Sequence, residues 1–328
     1  MTPRPDHPWL SVLMPVHGGA RFLGATLASA AAQVAELGAE GGGIEFLCYD
    51  SGDDGGAARA VAQDFAGALA IVWRDVPAIK PWTAKTNLAA AEARAPHVTM
   101  LHQDDLWLAG HGAALAGAVS AMAAGAGAGA VLSIGPSRFV GPQGQDCGPW
   151  RLPFAPGRHA GAALAATLIV QNTIAIPAPV ISRAAFLAAG GLDDALWYTA
   201  DWDLWLKLML AGDVLVREGA TTGFRLHGGS LTMTGAHDGA ALAAQHEAVL
   251  ARYLPRLAPP AGVRARAHAS VAVNGALAGA ACGQWRALWP GALALARLGP
   301  WGWPRFFHDT RLAERFMARA RLRGAGRI

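Results

Sequence analysis

Four short apolar runs in the N-terminal hundred residues constrain the fold of this chain more than any other feature. The segments between them carry apolar residues at helical spacing, so strands and helices alternate. Uninterrupted apolar strands in such an alternation indicate an α/β fold with a parallel, doubly wound sheet that helices cover on both faces. The predicted strands are 10–16, 44–50, 69–75 and 98–101, and the predicted helices are 21–37, about 57–66 and about 83–94.

The alternation weakens beyond residue 110. We predict a helix over about 110–123, a strand in VLSIG, a Gly/Pro-rich loop over 135–158, and a helix that begins at Asp201. A strand and a loop follow in DVLVREGATTGFRLHGGSLT. From about residue 237 the sequence predicts helices only, which prolines punctuate.

The charge distribution limits the partners of the chain. The net charge is +4, but the segment from Arg297 onward carries eight arginines against two acids, a net charge of +6. The rest is therefore close to −2, which excludes nucleic-acid binding driven by global charge. Cys48, Cys147 and Cys282 lie far apart without a CxxC pattern, which indicates a reducing compartment and no cysteine metal cluster.

Two uncharged windows have the length of a membrane span. Residues 112–137 are mostly Ala and Gly, which transfer weakly into lipid, and residues 160–182 are interrupted by Gln171, Asn172 and two prolines. We predict that both windows are interior segments of a soluble protein. The N-terminal stretch lacks the apolar region of a secretory signal, so we expect a cytoplasmic protein.

Acidic residues follow the predicted strands at their carboxyl ends, where doubly wound sheets bind ligands. Asp104 and Asp105 come directly after the fourth strand. Carboxylates are ligands that Mg²⁺ and Mn²⁺ prefer, and one or two suffice when phosphate oxygens complete the metal shell. A pair of aspartates is also favoured at the N-terminus of a helix, and the spacing alone leaves both interpretations open.

Three further residues are candidates, each with a structural alternative. Asp50 ends the second strand two residues before Gly52, so its carboxylate either contacts a ligand or forms an Asx turn. Asp201 precedes an apolar helical face, where it acts as a general base, as an N-cap, or as both. His227 can complete a metal shell through its neutral imidazole, but a single histidine is more often structural.

Four ordered motifs together resemble those of the family 2 inverting glycosyltransferases with a GT-A fold. They are LSVLMPVHGGARFLGATLASAAAQ, EFLCYDSGDDGGA, KTNLAAAEARAPHVTMLHQDDLW and ADWDLWLKLMLAGDVLVREGATTGFRLHGGSLT, and the likeness spans about residues 9–233. The resemblance implies a GT-A domain over 1–235, with a donor-binding half over about 9–107 and an acceptor-side half over about 108–235. A helical, basic C-terminal region over 236–328 would follow.

The resemblance also implies roles for single residues. Asp104 would hold the Mg²⁺ or Mn²⁺ that bridges the diphosphate of a nucleotide sugar, with Asp105 beside it and His227 as a further metal or phosphate contact. Asp201 would be the base that deprotonates the acceptor hydroxyl, and Asp50 would contact the nucleoside. The remaining residues expected at the donor are Pro15, Val16, Lys85 and Asn87.

The sequence departs from the family pattern at several positions. His102 stands where the family has the first acid of an Asp-x-Asp pattern, and Ala200 stands where a Glu usually precedes the base. Gly18 replaces a frequent Asn, and the turn after the second strand has Asp53 and Asp54 instead of Ser and Thr. None of these changes removes the proposed metal ligand or the base, so activity is still predicted.

The function that the resemblance implies is inverting transfer of a sugar from a nucleotide-diphosphate sugar to a hydroxyl of a glycan or lipid-linked acceptor. Such a reaction would serve the synthesis of bacterial cell-surface polysaccharide or glycoconjugates. Two other functions stay open. A catalytically inactive GT-A scaffold is suggested by His102 and Ala200, and a sugar-phosphate nucleotidyltransferase would use the same kind of sheet.

The C-terminal segment combines basic and aromatic residues. Arginines recur at four-residue steps from Arg311 to Arg327, and Trp301, Trp303 and Phe306 lie upstream. This composition is typical of a helix that lies in a membrane interface, which predicts peripheral contact with the inner face of the cytoplasmic membrane. A solvated helix that packs on the domain is the alternative.

Overall fold

An eight-stranded sheet forms the centre of the computed structural model, which describes residues 4–124, 129–230 and 239–324. Its strands are β1 Leu10–Val16, β2 Ile44–Asp50, β3 Ala70–Asp75, β4 His97–Met100, β6 Leu132–Ile134, β9 Gly157–His159, β10 Val180–Ser182 and β11 Val214–Val216. Their order is β3-β2-β1-β4-β10-β6-β11-β9, and only β9 and β10 run against the other six. This mostly parallel sheet confirms the predicted α/β fold.

The strands are buried on both faces because their side chains alternate between two apolar clusters. Leu13 and Leu47 belong to the cluster on one face, and Val12 and Phe46 belong to the cluster on the other. All four side chains are fully buried. The continuous apolar runs in the sequence therefore reflect two buried faces rather than one.

A second sheet corrects the loop that was predicted over 135–158. It consists of β5 Leu106–Trp107, β7 Ser137–Val140, β8 Asp146–Trp150 and β12 Thr222–Arg225, in the order β5-β12-β7-β8. Strands β7 and β8 form a hairpin that turns at Gly144, where φ is +80°. The strands are short, and Gly148 and Pro149 interrupt the apolar pattern of β8, so the sequence resembles a loop.

Helices cover the eight-stranded sheet. They are α1 Ala20–Glu36, α2 Ala57–Gln63, α3 Trp82–Glu92, α4 His111–Ala123, α5 Gly161–Leu168, α6 Arg183–Ala188 and α7 Ala200–Ala211. The described parts of the two uncharged windows form interior elements, because α4, α5, β6 and β10 all carry buried side chains. Within the described residues, no helix combines the length and apolarity that a membrane span requires.

The described C-terminal residues after 238 are helical, as predicted. The helices are α8 Gly239–Leu257, α9 Ala261–Ala281, α10 Leu288–Thr310 and α11 Leu312–Gly324. Helix α11 packs against the second sheet, because Ala318 and Leu322 join an apolar cluster with Phe139, Cys147 and Leu226. The predicted domain boundary at residue 235 lies outside the described residues.

Candidate active site

A cavity of about 630 Å³ opens at the carboxyl ends of β1 and β4. The chain fills the sheet outward from β1 through β2 to β3, and then returns to place β4 on the other side of β1. The strand order therefore reverses between β1 and β4, and this is where doubly wound sheets bind ligands. Residues that line the cavity come from both sheets, from α3 and α7, and from the C-terminal helix α11.

One end of the cavity carries two lysines beside the carboxyl ends of β1 and β2. The Lys85 ammonium donates to the Val16 carbonyl oxygen at 2.6 Å and to Ser51 Oγ at 2.8 Å. Lys80 donates to the Ser51 carbonyl oxygen at 3.0 Å. Burial lowers the pKa of Lys85 to about 8. Its side chain is therefore still mostly charged at pH 7 but loses its proton slightly above that pH. Pro15 lines the same region, whereas Val16 contributes its carbonyl and buries its side chain.

Asp50 and Asn87, both expected at the donor, are engaged in local contacts. Asp50 Oδ1 accepts from the Gly52 backbone at 2.7 Å, which is the Asx turn. The amide of Asn87 pairs with the backbone of Leu192 in both directions, at 2.9 Å each. Neither side chain lines the cavity, and their contact with the donor stays a prediction.

Asp104 and Asp105 do not cap a helix, because the next helix, α4, begins only at His111. Arg225 holds their turn instead. Its backbone N–H donates to Asp105 Oδ1 at 2.9 Å, and its Nε donates to the Asp104 carbonyl oxygen at 2.5 Å. The other carboxylate is held by His227, whose Nε2 lies 2.8 Å from Asp104 Oδ2. The helix-capping alternative is therefore wrong.

His102, Asp104 and Asp105 form a group that fits a divalent cation. One ligand atom from each lies within 4.8 Å of the others. The buried atoms His102 Nε2 and Asp105 Oδ2 have no hydrogen-bond partner among the described residues, although buried polar atoms normally have one. Imidazole nitrogen and carboxylate oxygen together are ligands that suit Mn²⁺, and the carboxylates also suit Mg²⁺.

Burial and mutual repulsion shift the pKa values of this group in ways that a bound cation would offset. Burial lowers the pKa of His102 to about 4, so its imidazole is neutral at pH 7 and keeps a lone pair for a metal. Burial, and next the charge of Asp104, raise the pKa of Asp105 well above its usual range. Burial also acts to raise the pKa of Asp104, but the hydrogen bond from His227 and the nearby histidines outweigh it and the pKa is lowered. A bound cation would relieve the repulsion between the two carboxylates.

His227, which was predicted as a metal ligand, lies next to this group rather than in it. Its ring packs against Phe22 with centroids 4.5 Å apart, and it contacts Asp104 through Nε2. This contact holds the carboxylate in one orientation, as hydrogen-bonding partners of metal ligands commonly do. Direct binding of metal by His227 stays a prediction.

Asp201 lies at the start of α7 and lines the same cavity. Its Oδ1 accepts from the Trp202 backbone at 2.7 Å, and its Oδ2 accepts from Asn172 Nδ2 at 2.8 Å. Burial raises the pKa of Asp201 to about 6, and the two hydrogen bonds act against that rise. The carboxylate is therefore mostly ionised at pH 7 yet more basic than an ordinary aspartate, which suits a general base.

Two other residues of the site, Gln103 and Asn172, were not predicted from the sequence. The Gln103 amide pairs with the backbone of His17, at 2.8 Å to N and 3.0 Å to O, and ties the segment after β4 to the segment after β1. A Cβ at Gly19 would lie 2.3 Å from Gln103 Oε1, so the second glycine of the Gly18-Gly19 pair allows this contact. In the sequence Asn172 interrupts an apolar window, and in the fold its side-chain amide donates to Asp201 and positions that carboxylate.

Two arginines of α11 also line the cavity. Arg315 and Arg319 belong to the four-residue arginine repeat that was predicted to face a membrane. Arg315 donates to Asn274 Oδ1 at 3.2 Å, and Arg319 donates to the Arg315 carbonyl oxygen at 3.1 Å. Two other arginines of this segment also contact the protein, since Arg311 donates to Leu152 and Arg321 to Cys147, at 2.7 and 2.8 Å.

Comparisons with known proteins found similarity at the level of structure alone. No protein-family model matches the sequence, and no curated protein does. The mannosyltransferase PcManGT from Pyrobaculum calidifontis, in complex with GDP-Man and Mn²⁺, is similar over 97% of this chain and 88% of its own, with a TM-score of 0.56 and 16% identity. TarS 1–349 from S. aureus, in complex with UDP-GlcNAc, is similar over 82% of this chain and 81% of its own, with a TM-score of 0.52 and 13% identity.

A further TarS structure from S. aureus is longer. It is similar over 75% of this chain with a TM-score of 0.52 and 14% identity, but this chain covers only 43% of it. At such identities the likeness shows the fold. The chain therefore has the GT-A type fold of known glycosyltransferase structures, as predicted.

Proposed function

We propose that this protein is a metal-dependent, inverting glycosyltransferase. It moves a sugar from a nucleotide-diphosphate sugar to an acceptor hydroxyl, in the synthesis of cell-surface polysaccharide or glycoconjugates. One observation carries the proposal: a single cavity holds the group of His102, Asp104 and Asp105 together with Asp201, whose pKa is raised to about 6. A cation-binding group and a separate carboxylate base are the two components that such a transfer needs.

The residues of the cavity divide the reaction between them. When bound at His102, Asp104 and Asp105, a divalent cation supplies charge that stabilises the departing diphosphate. The ammonium groups of Lys80 and Lys85 add positive charge at the ends of β1 and β2. Asp201 accepts the proton of the acceptor hydroxyl. The hydroxyl oxygen then attacks the anomeric carbon on the face opposite the departing diphosphate. One displacement of this kind inverts the anomeric configuration.

The first test is isothermal titration of the protein with UDP, GDP and dTDP, each with and without Mn²⁺. We expect one nucleotide to bind only with metal, and we expect Asp104→Ala to abolish that binding. Arg59→Gln is the matched control, because Arg59 pairs with the exposed Asp75 and does not line the cavity. If no nucleotide binds under any of these conditions, the protein is better explained as an inactive GT-A scaffold.

The nucleotidyltransferase alternative is separated by its product. Incubation with a sugar phosphate and nucleoside triphosphates would release pyrophosphate if the cavity joined the two. We expect no pyrophosphate, and instead release of nucleoside diphosphate from a nucleotide sugar. Asp201→Asn should retain nucleotide binding and lose most of the transfer, because the amide cannot accept the proton.

We also propose peripheral contact with a membrane through exposed aromatic side chains of the C-terminal region. Trp285, Trp289 and Trp301 are 71%, 74% and 91% exposed. Trp289 and Leu293 lie four residues apart on α10, so they share one side of that helix. Tryptophan is favoured at the membrane–water interface, where its ring is apolar and its N–H remains hydrated.

Flotation with vesicles tests this contact. The wild-type chain should float with vesicles that contain anionic lipid, and a Trp285→Ser, Trp289→Ser and Trp301→Ser variant should remain in the soluble fraction. A variant with Arg321→Gln, on α11, should float like the wild type. Equal partitioning of the wild type and the tryptophan variant would exclude the proposed surface.

A further inference from the structure

We infer that Arg315 and Arg319 form a binding site for a phosphate group carried by the acceptor. The inference rests on the proposed function, and it adds the chemical class of the acceptor to it. Both side chains belong to α11 and line the cavity that holds Asp201. They are 114 and 118 residues away from the base in sequence, but they line the same cavity in the fold.

Arg315 supports this inference more strongly than Arg319, because its charge has no counter-ion among the residues that the structure describes. Among the described residues, no carboxylate forms an ion pair with Arg315, and its buried Nη1 has no hydrogen-bond partner. Burial, and next the charge of Arg319, lower the pKa of Arg315 to about 10, so the guanidinium stays charged at neutral pH. A buried cation beside a like charge is unfavourable unless an anion joins it.

The contacts of Arg315 place it on the base side of the cavity. Its Nη2 donates to Asn274, and Asn274 donates to Gln171 Oε1 at 2.7 Å. The next residue is Asn172, which donates to Asp201. The lysines and the His102 group instead lie at the strand ends, where they provide positive charge for the donor diphosphate. The arginines are therefore suited to an anion of the acceptor.

Charge and geometry favour phosphate over a carboxylate. A phosphate monoester carries a charge of about −1.5 to −2 at neutral pH, which matches two guanidinium groups better than the single charge of a carboxylate. Arginine binds phosphate through two parallel N–H groups, and the unpartnered Nη1 is one available donor. Arg319 is held next to Arg315 by its bond to the Arg315 carbonyl oxygen.

The test uses the full chain, saturated with Mn²⁺ and with whichever of UDP, GDP and dTDP binds to the protein. The donor site is then filled. Glycerol 3-phosphate is then titrated, with glycerol as the neutral control. We expect the phosphate ester alone to bind. Arg315→Gln and Arg319→Gln should each weaken its binding roughly 10-fold or more, whereas Arg321→Gln on the same helix should not. The affinity of Arg315→Lys should lie between those of the wild type and Arg315→Gln, because lysine keeps the positive charge but cannot donate two parallel hydrogen bonds to phosphate.

A second arm separates the sources of the phosphate. Glycerol 3-phosphate represents a soluble phosphorylated glycan, and phosphatidylcholine vesicles with and without phosphatidic acid represent a lipid-linked phosphate. Dependence on Arg315 in either arm supports the site. Nucleotide binding with equal phosphate affinity in wild type and both glutamine variants would overturn the anion site and leave the proposed function intact. If the wild type binds no nucleotide, the proposed function is contradicted. Titration of glycerol 3-phosphate without nucleotide would then still test the two arginines.

Discussion

Transfer activity should fall about tenfold when the pH is lowered from about 7 to about 5, because the carboxyl group of Asp201 then takes up a proton. With a pKa of about 6, roughly 90% of this group is ionised at about pH 7 and roughly 10% at about pH 5. An ordinary aspartate, with a pKa of about 3.9, would still be ~90% ionised at about pH 5. The acid side of the pH profile therefore reports the burial of this one carboxyl group.

Removal of the hydrogen bond from Asn172 should move that profile. The bond joins Asn172 Nδ2 to Asp201 Oδ2 at 2.8 Å and stabilises the ionised form. A hydrogen bond to a charged group contributes about 1.5–3 kcal/mol, which corresponds to ~1–2 pH units. Since Asp201 borders the cavity, water replaces part of the lost bond, so Asn172→Ala should move the midpoint upward by about one unit.

The assay is release of nucleoside diphosphate as a function of pH, expressed as kcat/KM, which reports the pKa of the free enzyme. Arg59→Gln is the control, because Arg59 pairs with the exposed Asp75 and does not line the cavity. Its midpoint should stay at about 6, whatever its effect on the plateau. An acid midpoint near that of an ordinary aspartate, or one that Asn172→Ala does not move, would refute the assignment of Asp201 as the base.

Three further measurements test other parts of the site. His102→Ala should weaken Mn²⁺-dependent nucleotide binding by about 10- to 100-fold. Titration calorimetry at several Mn²⁺ concentrations measures this affinity, and an unchanged metal dependence would exclude His102 as a ligand. Nucleotide affinity should decline as the pH rises through about 8, where Lys85 loses its proton, and Lys85→Met should remove that decline but not the binding of Mn²⁺. The pKa of Asp201 is higher in the folded state than in the unfolded state. Its contribution to the free energy of unfolding is therefore present below about pH 4 and lost as the pH rises through about 6. In thermal unfolding, Asp201→Asn should accordingly lose the least stability, or gain some, above about pH 6.

The β1–β4 half of the fold could be predicted from sequence because burial on both faces leaves a plain pattern. The predicted ranges 10–16 and 44–50 coincide with β1 and β2, since every residue in them is buried. The second sheet could not be predicted in the same way. Strands β7 and β8 are four and five residues long, and β12, the other partner of β7, lies about eighty residues further along the chain.

The candidate site was predictable by residue type but not by pairing. The aspartates at the strand ends are visible in the sequence, whereas the partner of Asp104 is His227, 123 residues away. The helical periodicity of the arginines was visible too, but periodicity does not specify what a helix side faces. Arg315 points into the cavity because Ala318 and Leu322 fix the orientation of α11 on the second sheet. The side chain of Arg323 and the whole of Arg327 lie outside the described residues.

The packing of α11 has a consequence for engineering this protein. A chain shortened to the predicted GT-A domain, residues 1–235, would uncover Phe139 and Leu226, and it would also remove Arg315 and Arg319 from the lining of the cavity. Helix α11 therefore contributes both to the packing of the second sheet and to the lining of the cavity. Under the proposed function, a different helix grafted onto the same sheet, with the apolar contacts of Ala318 and Leu322 retained, should change acceptor binding and leave nucleotide binding unchanged.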